Sequence, residues 1–128
     1  MSNTVLGKPN NTGIKRIIKA TIFSVRGLKA AFKYEAAIRQ ELVMLIFMSL
    51  TAFILNVTVI ERVLLIGVFA LIFIVELLNS AIEAVVDRVG FEHHELSGRA
   101  KDIGSAAVFI ALCFAFFTWI LILFEHFG

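Results

Sequence analysis

Three stretches of this chain are apolar for long enough to cross a bilayer, and the middle one turns acidic before it ends. The stretches are 42–60, 63–87 and 103–124. From Val63 to Val75 every residue is apolar or Gly; Glu76, Asn79, Glu83 and Asp87 follow. On a helix these four stand at i, i+3, i+7 and i+11, which is one stripe, while Leu77, Leu78, Ile82 and Val85 face elsewhere. A carboxylate at the bilayer centre costs about 2.5–3.5 kcal/mol on insertion scales. A stripe of acids at the rim of a membrane span therefore points to a reactive site at the membrane surface.

The composition agrees with an integral membrane protein. Hydrophobic residues make up 59% of the 128, against roughly 45–50% in soluble domains. Mean hydropathy is +0.92. The length suits one domain, and a single proline, Pro9, suits unbroken helices. Cys113 is the only cysteine; an intrachain disulfide and a cysteine metal framework are excluded, and it reads as a small packing residue. Residues 1–12 are polar and carry no apolar core of a cleaved signal, so they read as a mobile tail and the spans as their own insertion signals.

Between the tail and the first span, residues 13–41 have a helical period. Ile14, Ile17, Ile18, Thr21, Ile22, Val25, Leu28 and Phe32 recur at three- and four-residue steps, with Lys15, Arg16, Lys19, Arg26, Lys29 and Lys33 on much of the remaining surface. That is the pattern of a helix lying in the membrane interface. The lysines serve equally as an anchor to anionic lipid, each contributing ~1 kcal/mol. Gly27 is a point where this helix can bend. Glu35 and Glu41 are the only acids before the first span. From spacing alone, Glu35 is either a solvated partner of Arg39 at i+4 or a ligand reaching the Glu76 stripe.

The first span, at about 1.5 Å per residue, reaches about 28 Å, close to the hydrocarbon thickness. Glu61 and Arg62 read as a short turn into the second. Residues 88–102 read as the one substantial loop, with Gly90 as helix stop and Ser97 as N-cap of the next helix. His93-His94-Glu95 lacks the spacing of a zinc helix. In the third span Ala107, Ala111 and Ala115 recur every four residues, a step that lets helices approach closely in lipid, and Ser80 and Ala84 repeat it in the second. Trp119 stands near the far end, where aromatic rings favour the interface.

Residues 1–41 hold eight Lys and Arg, the first turn Arg62 alone, the second loop Arg88, Arg99 and Lys101, and the C-terminal stub none. The positive-inside rule then puts the N-terminus and the 88–102 loop in the cytoplasm, where ATP is available. Carboxylates, Asn and Lys on that side fit Mg²⁺-dependent phosphoryl transfer. No P-loop and no protein-kinase glycine loop is present. Intramembrane carboxylates also serve ion pathways, and a polar stripe can also bind a partner helix; the residues by themselves leave these readings open.

The run Glu76-Leu-Leu-Asn-Ser-Ala-Ile-Glu-Ala-Val-Val-Asp87, with His94-Glu-Leu-Ser-Gly-Arg-Ala-Lys-Asp102 and Gly104-Ser-Ala-Ala107, resembles the prokaryotic diacylglycerol kinase family. Arg16-Ile-Ile-Lys-Ala20 and Glu35-Ala-Ala-Ile-Arg-Gln-Glu41 are similar to it as well, so the resemblance extends from Gly13 to Gly128. It implies an all-α membrane protein with an amphipathic surface helix and three transmembrane helices, assembled as a homotrimer with sites shared between subunits. The implied location is the bacterial inner membrane. The implied activity is transfer of the γ-phosphate of ATP to diacylglycerol, giving phosphatidic acid.

By the same resemblance Glu76 is the catalytic base, and Glu35 and Glu83 hold the Mg²⁺ that accompanies ATP. Arg16, Phe23, Glu92, His94, Lys101 and Asp102, together with Glu35 and Glu83, stand at nucleotide positions. Phe23 replaces a frequent Tyr and has no hydroxyl to offer. Arg16, Arg39, Asn79, Glu76 and Ser105 stand along the lipid substrate's path. The loop's His-Glu-Leu-Ser-Gly-Arg form resembles the diacylglycerol-specific branch more than the related undecaprenol kinases.

Overall fold

A computed structural model describes residues 12–90 and 92–128. The polar tail expected at 1–12 lies, apart from Thr12, outside the described residues. The described residues form four helices and no strand: α1 (Gly13–Tyr34), α2 (Ala36–Ile54), α3 (Val59–Val89) and α4 (Glu95–Phe127). The chain divides into two compact units, one ending at Tyr34 and the other spanning Glu35–Gly128.

In the first unit α1 carries the apolar stripe and basic surface that its sequence describes. Ile14, Ile17, Ile18, Ile22, Val25, Leu28 and Phe32 are all exposed. Thr21 and Ser24 donate their hydroxyls back to the carbonyls of Ile17 and Ala20, so polar side chains on the helix satisfy themselves locally. The Arg26 guanidinium stands 5.8 Å from the Phe23 ring centroid. The helix runs through Gly27 without a break.

The helical period read at 13–41 is interrupted at Glu35. This residue takes an extended backbone (φ −118°, ψ 111°) and is the N-cap of α2. The break falls where the sequence changes character: α1 is apolar on one face only, whereas α2 is apolar nearly all round. The helix that carries the first span therefore begins at Ala36, ahead of Leu42, and takes Arg39 and Glu41 into its first two turns.

α2, α3 and α4 are each long and apolar enough to cross a membrane. α3 packs against both of the others. At about 1.5 Å per residue its 31 residues extend about 47 Å, and the 33 of α4 about 50 Å. A hydrocarbon core of about 30 Å cannot enclose either. The polar end of each, Asp87 on α3 and Lys101 on α4, projects beyond it on the side of the short 90–94 connection.

The short turn before α3 is at 55–58, one step earlier than Glu61-Arg62. Thr58 Oγ1 accepts from the Glu61 N–H at 3.2 Å, and Glu61 Oε1 accepts from the Thr58 N–H at 2.9 Å. This reciprocal capping box satisfies two otherwise orphaned donors and holds both ends of the turn. Arg62 then reaches back. Its Nε donates to the Ala52 carbonyl at 3.0 Å and its terminal nitrogen to those of Leu55 and Val57, at 2.9 and 3.4 Å. Ala52 is in the last turn of α2, whose carbonyls lack helical partners; Leu55 and Val57 follow in the turn, and the Leu55 carbonyl accepts from the Val57 N–H as well, at 3.0 Å. At the same end Glu61 meets His126 at 2.7 Å, tying the start of α3 to the end of α4.

The core is a strip between helices. Ala52 of α2, Leu65, Val68 and Ile72 of α3, and Ala111, Ala115 and Trp119 of α4 form one buried cluster. Trp119 belongs to it instead of facing the interface. Its indole N–H donates to the Leu65 carbonyl at 3.1 Å, and its ring meets Phe69 edge-on at 5.9 Å. A buried indole needs such an acceptor, and this one comes from the neighbouring helix. The small residues facing α3 are Gly104, Ala111 and Ala115; Ala107 is exposed. Steps of four drift round a helix by about 40° each, so Ala107 leaves the seam that Ala111 and Ala115 occupy. Ala84 is exposed as well, and Ser80 only half-buried.

Arg62→Ala should leave the Ala52 and Val57 carbonyls without donors, while that of Leu55 keeps the Val57 N–H. The expected loss is about 1–3 kcal/mol, measured as a lower midpoint of unfolding in detergent. Arg62→Lys, with one point donor in place of a fork, should restore only part of it.

Candidate active site

The buried residues of α3 are Leu65, Val68, Ile72 and Glu76, at steps of three and four. Continuing those steps leads to Asn79, Glu83 and Asp87, each half-buried. The polar stripe is thus the packing face of α3 carried past its apolar half. Glu76 is turned toward neighbouring helices, the placement that makes a carboxylate tolerable on a membrane helix.

Glu76 is 9% exposed and is the one charged side chain in the buried set among the described residues. Asn79 stands one turn on, on the same face of α3, with its side chain within interaction reach of the Glu76 carboxylate. Asn79 Oδ1 is buried and has no hydrogen-bond partner. Glu83 and Glu35 both lie within electrostatic reach of Glu76, and Glu76 acts in the same way on Glu41. Glu35 reaches this position because the helix breaks there and its carboxylate is not engaged in capping α2.

Beyond Glu83 the stripe ends in an ion pair. Lys101 Nζ of α4 stands 2.8 Å from Asp87 Oδ1. The connection behind it closes around a cavity of about 310 Å³ lined by Asp87, Gly90, Glu92, His94, Ser97 and Lys101 among others. Gly90 caps α3, its N–H donating to the Val86 carbonyl. The Glu92 carboxylate lies against it; a side chain at position 90 would come within 2.7 Å of Glu92 Oε1. α4 starts at Glu95, well before the expected 103, because His94 is its N-cap: Nδ1 accepts from the Leu96 N–H at 3.1 Å. Ser97 is already inside the helix, and the 88–102 loop shrinks to five residues.

Several of the expected site residues are thus brought together. Glu76, Asn79, Glu83 and Glu35 share one neighbourhood, and Glu92, His94 and Lys101 share one cavity. Asp102 lines a separate cavity of about 450 Å³ with His93, Glu95 and Arg99. Arg39 is exposed on the first turn of α2, and Ser105 is exposed on α4, about 100° round the helix from the buried Gly104. Arg16 and Phe23 are exposed on α1.

Two relations around this site are not stated by the sequence. Glu41 reads there only as an acid ending a basic run; its place beside Glu76 depends on how α2 packs on α3. Asp87 is in the stripe, but its pairing with Lys101 joins two helices whose register no local pattern states.

A model of the family described as prokaryotic diacylglycerol kinase matches residues 22–123. The chain belongs to the prokaryotic diacylglycerol kinase family. Relatives named diacylglycerol kinase bear this out over nearly the whole length. That of Escherichia coli (strain K12) is 58% identical over 119 residues, covering 93% of this chain and 98% of the relative. That of Pseudomonas aeruginosa is 54% identical over 112 residues, with 88% and 91% covered. That of Haemophilus influenzae is 51% identical over 113 residues, with 88% and 96% covered. In this diacylglycerol kinase family member the acidic stripe of α3 ends at Asp87, which lines the smaller cavity with Glu92 and Lys101.

Lys101→Ala removes, among the described residues, the one cation lining the smaller cavity apart from any charge on its histidines, and leaves Asp87 without its partner. The KM for ATP should rise by roughly tenfold or more, as for loss of a charge-assisted phosphate contact. An initial-rate series in ATP concentration at saturating lipid measures this.

Proposed function

We propose that the protein is a diacylglycerol kinase that moves the γ-phosphate of ATP onto the free hydroxyl of a diacylglycerol, with Glu76 as general base. The observation that carries this reading is the position of Glu76: a nearly buried carboxylate, oriented by Asn79, at the point where the α3 seam passes from apolar to polar. The hydroxyl of a lipid lying with its acyl chains in the hydrocarbon comes to that depth. Its oxygen attacks the γ-phosphorus, its proton passes to Glu76, and ADP leaves. A base within hydrogen-bond reach of the attacking hydroxyl supplies about 10²–10⁴ in rate.

The carboxylates of Glu35 and Glu83 would hold the Mg²⁺ that accompanies ATP. They are hard oxygen donors, and both lie near Glu76, where a divalent cation offsets their repulsion. No group of three metal-ligating side chains stands together among the described residues. Mg²⁺ characteristically takes one or two carboxylates and completes its shell with water and substrate phosphates, so two acids suffice. When bound, the ion would neutralise charge on the transferring phosphate. Lys101, held by Asp87, would meet the phosphates from the water side, with Glu92 and His94 beside it and Asp102 of the adjoining cavity at the nucleotide's edge. Arg16 and Phe23 would add contacts from α1, and Arg39 and Ser105 would line the lipid's approach.

The Lys and Arg distribution supports an N-terminus and a 90–94 connection on the cytoplasmic side of a bacterial inner membrane, with α1 (residues 13–34) in the interface. A homotrimer with shared sites is part of the same reading. Asn79 and Glu83 are only half-buried by this chain, and a neighbouring subunit would cover the open side of the stripe and supply the exposed groups that one chain keeps apart.

Wild type and Glu76→Gln compared for ATP-dependent phosphate transfer in mixed micelles test this directly. The wild type should phosphorylate diacylglycerol in preference to undecaprenol. The variant should fold and assemble as the wild type does while kcat drops by about 10²–10⁴. Equal rates would remove Glu76 from the chemistry, and preference for undecaprenol would reassign the lipid. Cross-linking of active protein should give trimers; monomers alone would count against shared sites.

A further inference from the structure

We infer that Gly104 is a positioning residue for the general base, acting through Asn79; the catalytic part of this inference rests on the function proposed above. Asn79 has one amide to serve two neighbours. Its oxygen faces α4, against position 104, which leaves its nitrogen for the side on which Asn79 interacts with the Glu76 carboxylate. There Oδ1 is buried and meets no donor. It fits only because position 104 has no side chain: a Cβ there would overlap Oδ1 outright and press on Cγ at 3.3 Å. Gly104 is itself buried, in the same face of α4 as Ala111 and Ala115.

A buried acceptor without a partner is an unfavourable arrangement, so Asn79 would turn away if it had a better rotamer and room to take it. Its interaction with Glu76 holds it, and the bare backbone at 104 admits it. Adding one methyl group there forces the more yielding of the two neighbours to move. That neighbour is a side chain with two rotatable bonds, not the backbone of a packed helix. Asn79 swings, and Glu76 loses the donor that fixes its carboxylate. Helix propensity works in the opposite direction, since alanine is the better helix former; a loss on Gly104→Ala therefore cannot come from α4 itself.

The molecule carries its own control and its own reporter. Gly67 lies on α3, and a Cβ added there would meet nothing within 4 Å, so Gly67→Ala makes the same chemical change at a neutral place. Trp119, the one tryptophan, is buried at the opposite end of the α3–α4 seam, on Leu65 and Phe69. Its emission reports whether the two helices have parted.

The test compares Gly104→Ala, Gly67→Ala, Asn79→Ala and the double variant Asn79→Ala/Gly104→Ala as full-length protein in detergent. Gly104→Ala should lower kcat roughly tenfold or more while the KM for ATP stays within about twofold, the pattern of a lost transition-state interaction, with Trp119 emission unchanged. Gly67→Ala should leave all three as in wild type. In the Asn79→Ala background, where the obstructing amide is gone, adding Gly104→Ala should change kcat by less than about twofold, as a double-mutant cycle requires of coupled sites. Independently of any turnover, the side-chain amide resonance of Asn79, assigned by its disappearance in Asn79→Ala, should move in Gly104→Ala and not in Gly67→Ala. A wild-type kcat in Gly104→Ala, an equal loss in the Asn79→Ala background, a shifted Trp119 emission accompanying the loss, or an unmoved Asn79 resonance would each overturn the inference. A wild type that phosphorylates no lipid would sink the proposed function instead, and the resonance would still decide the contact.

Discussion

One face of α3 has to be buried along its whole length, and most of what is particular to this protein follows from that. The helix packs against both α2 and α4, so it has a seam facing protein while its other faces meet lipid. In the lower half the seam is Leu65, Val68 and Ile72, and ordinary close packing fills it. From Glu76 onward the same steps place Asn79, Glu83 and Asp87. Acids are tolerable at membrane depth only on such a face, and the end of the helix that lies beyond the hydrocarbon gives them access to water. Acidic stripe and structural seam are thus one line of residues.

The partner side of the seam is shaped by what faces it. α4 opposes the apolar half with Trp119, Ala115 and Ala111, and the polar half with Gly104 and Lys101. Large meets small at one end and charge meets charge at the other. Trp119 gives its N–H to a main-chain carbonyl of α3, which is a rare kind of fixed point in a membrane bundle where apolar contact by itself distinguishes one register poorly from the next. The far end adds the Arg62 clasp on the end of α2 and the Glu61–His126 contact. Polar contacts thus join the helices at both ends of the seam, Glu61–His126 at one and Asp87–Lys101 at the other.

Much of this is readable from the residues themselves. Three spans, the single stripe of Glu76, Asn79, Glu83 and Asp87, the amphipathic character of α1 and the family resemblance all depend on composition, helical period and a long contiguous motif. The Thr58-Val-Ile-Glu61 capping box is also present in the sequence, although Glu61-Arg62 reads more readily as the turn; the turn signal there is a pair of reciprocal hydrogen bonds and not a Gly or Pro. Ser97 is the better N-cap by residue type, yet His94 caps α4, because a ring nitrogen close to the chain serves as well when the connection is only five residues long.

A helix's own period determines which of its residues share a face, and that is sufficient to put the acids in one stripe from the sequence alone. It does not determine which face meets which neighbour, since that depends on the register and rotation of two rods that lipid solvates about equally well on every apolar side. Tertiary packing alone decided that Gly104 and not Ala107 opposes α3, that Trp119 is core and not interface, that Glu41 joins Glu76, and that Lys101 is paired with Asp87. Those are contacts between residues far apart in the chain, and each exists because helices close enough to exclude lipid must satisfy the polar groups they trap.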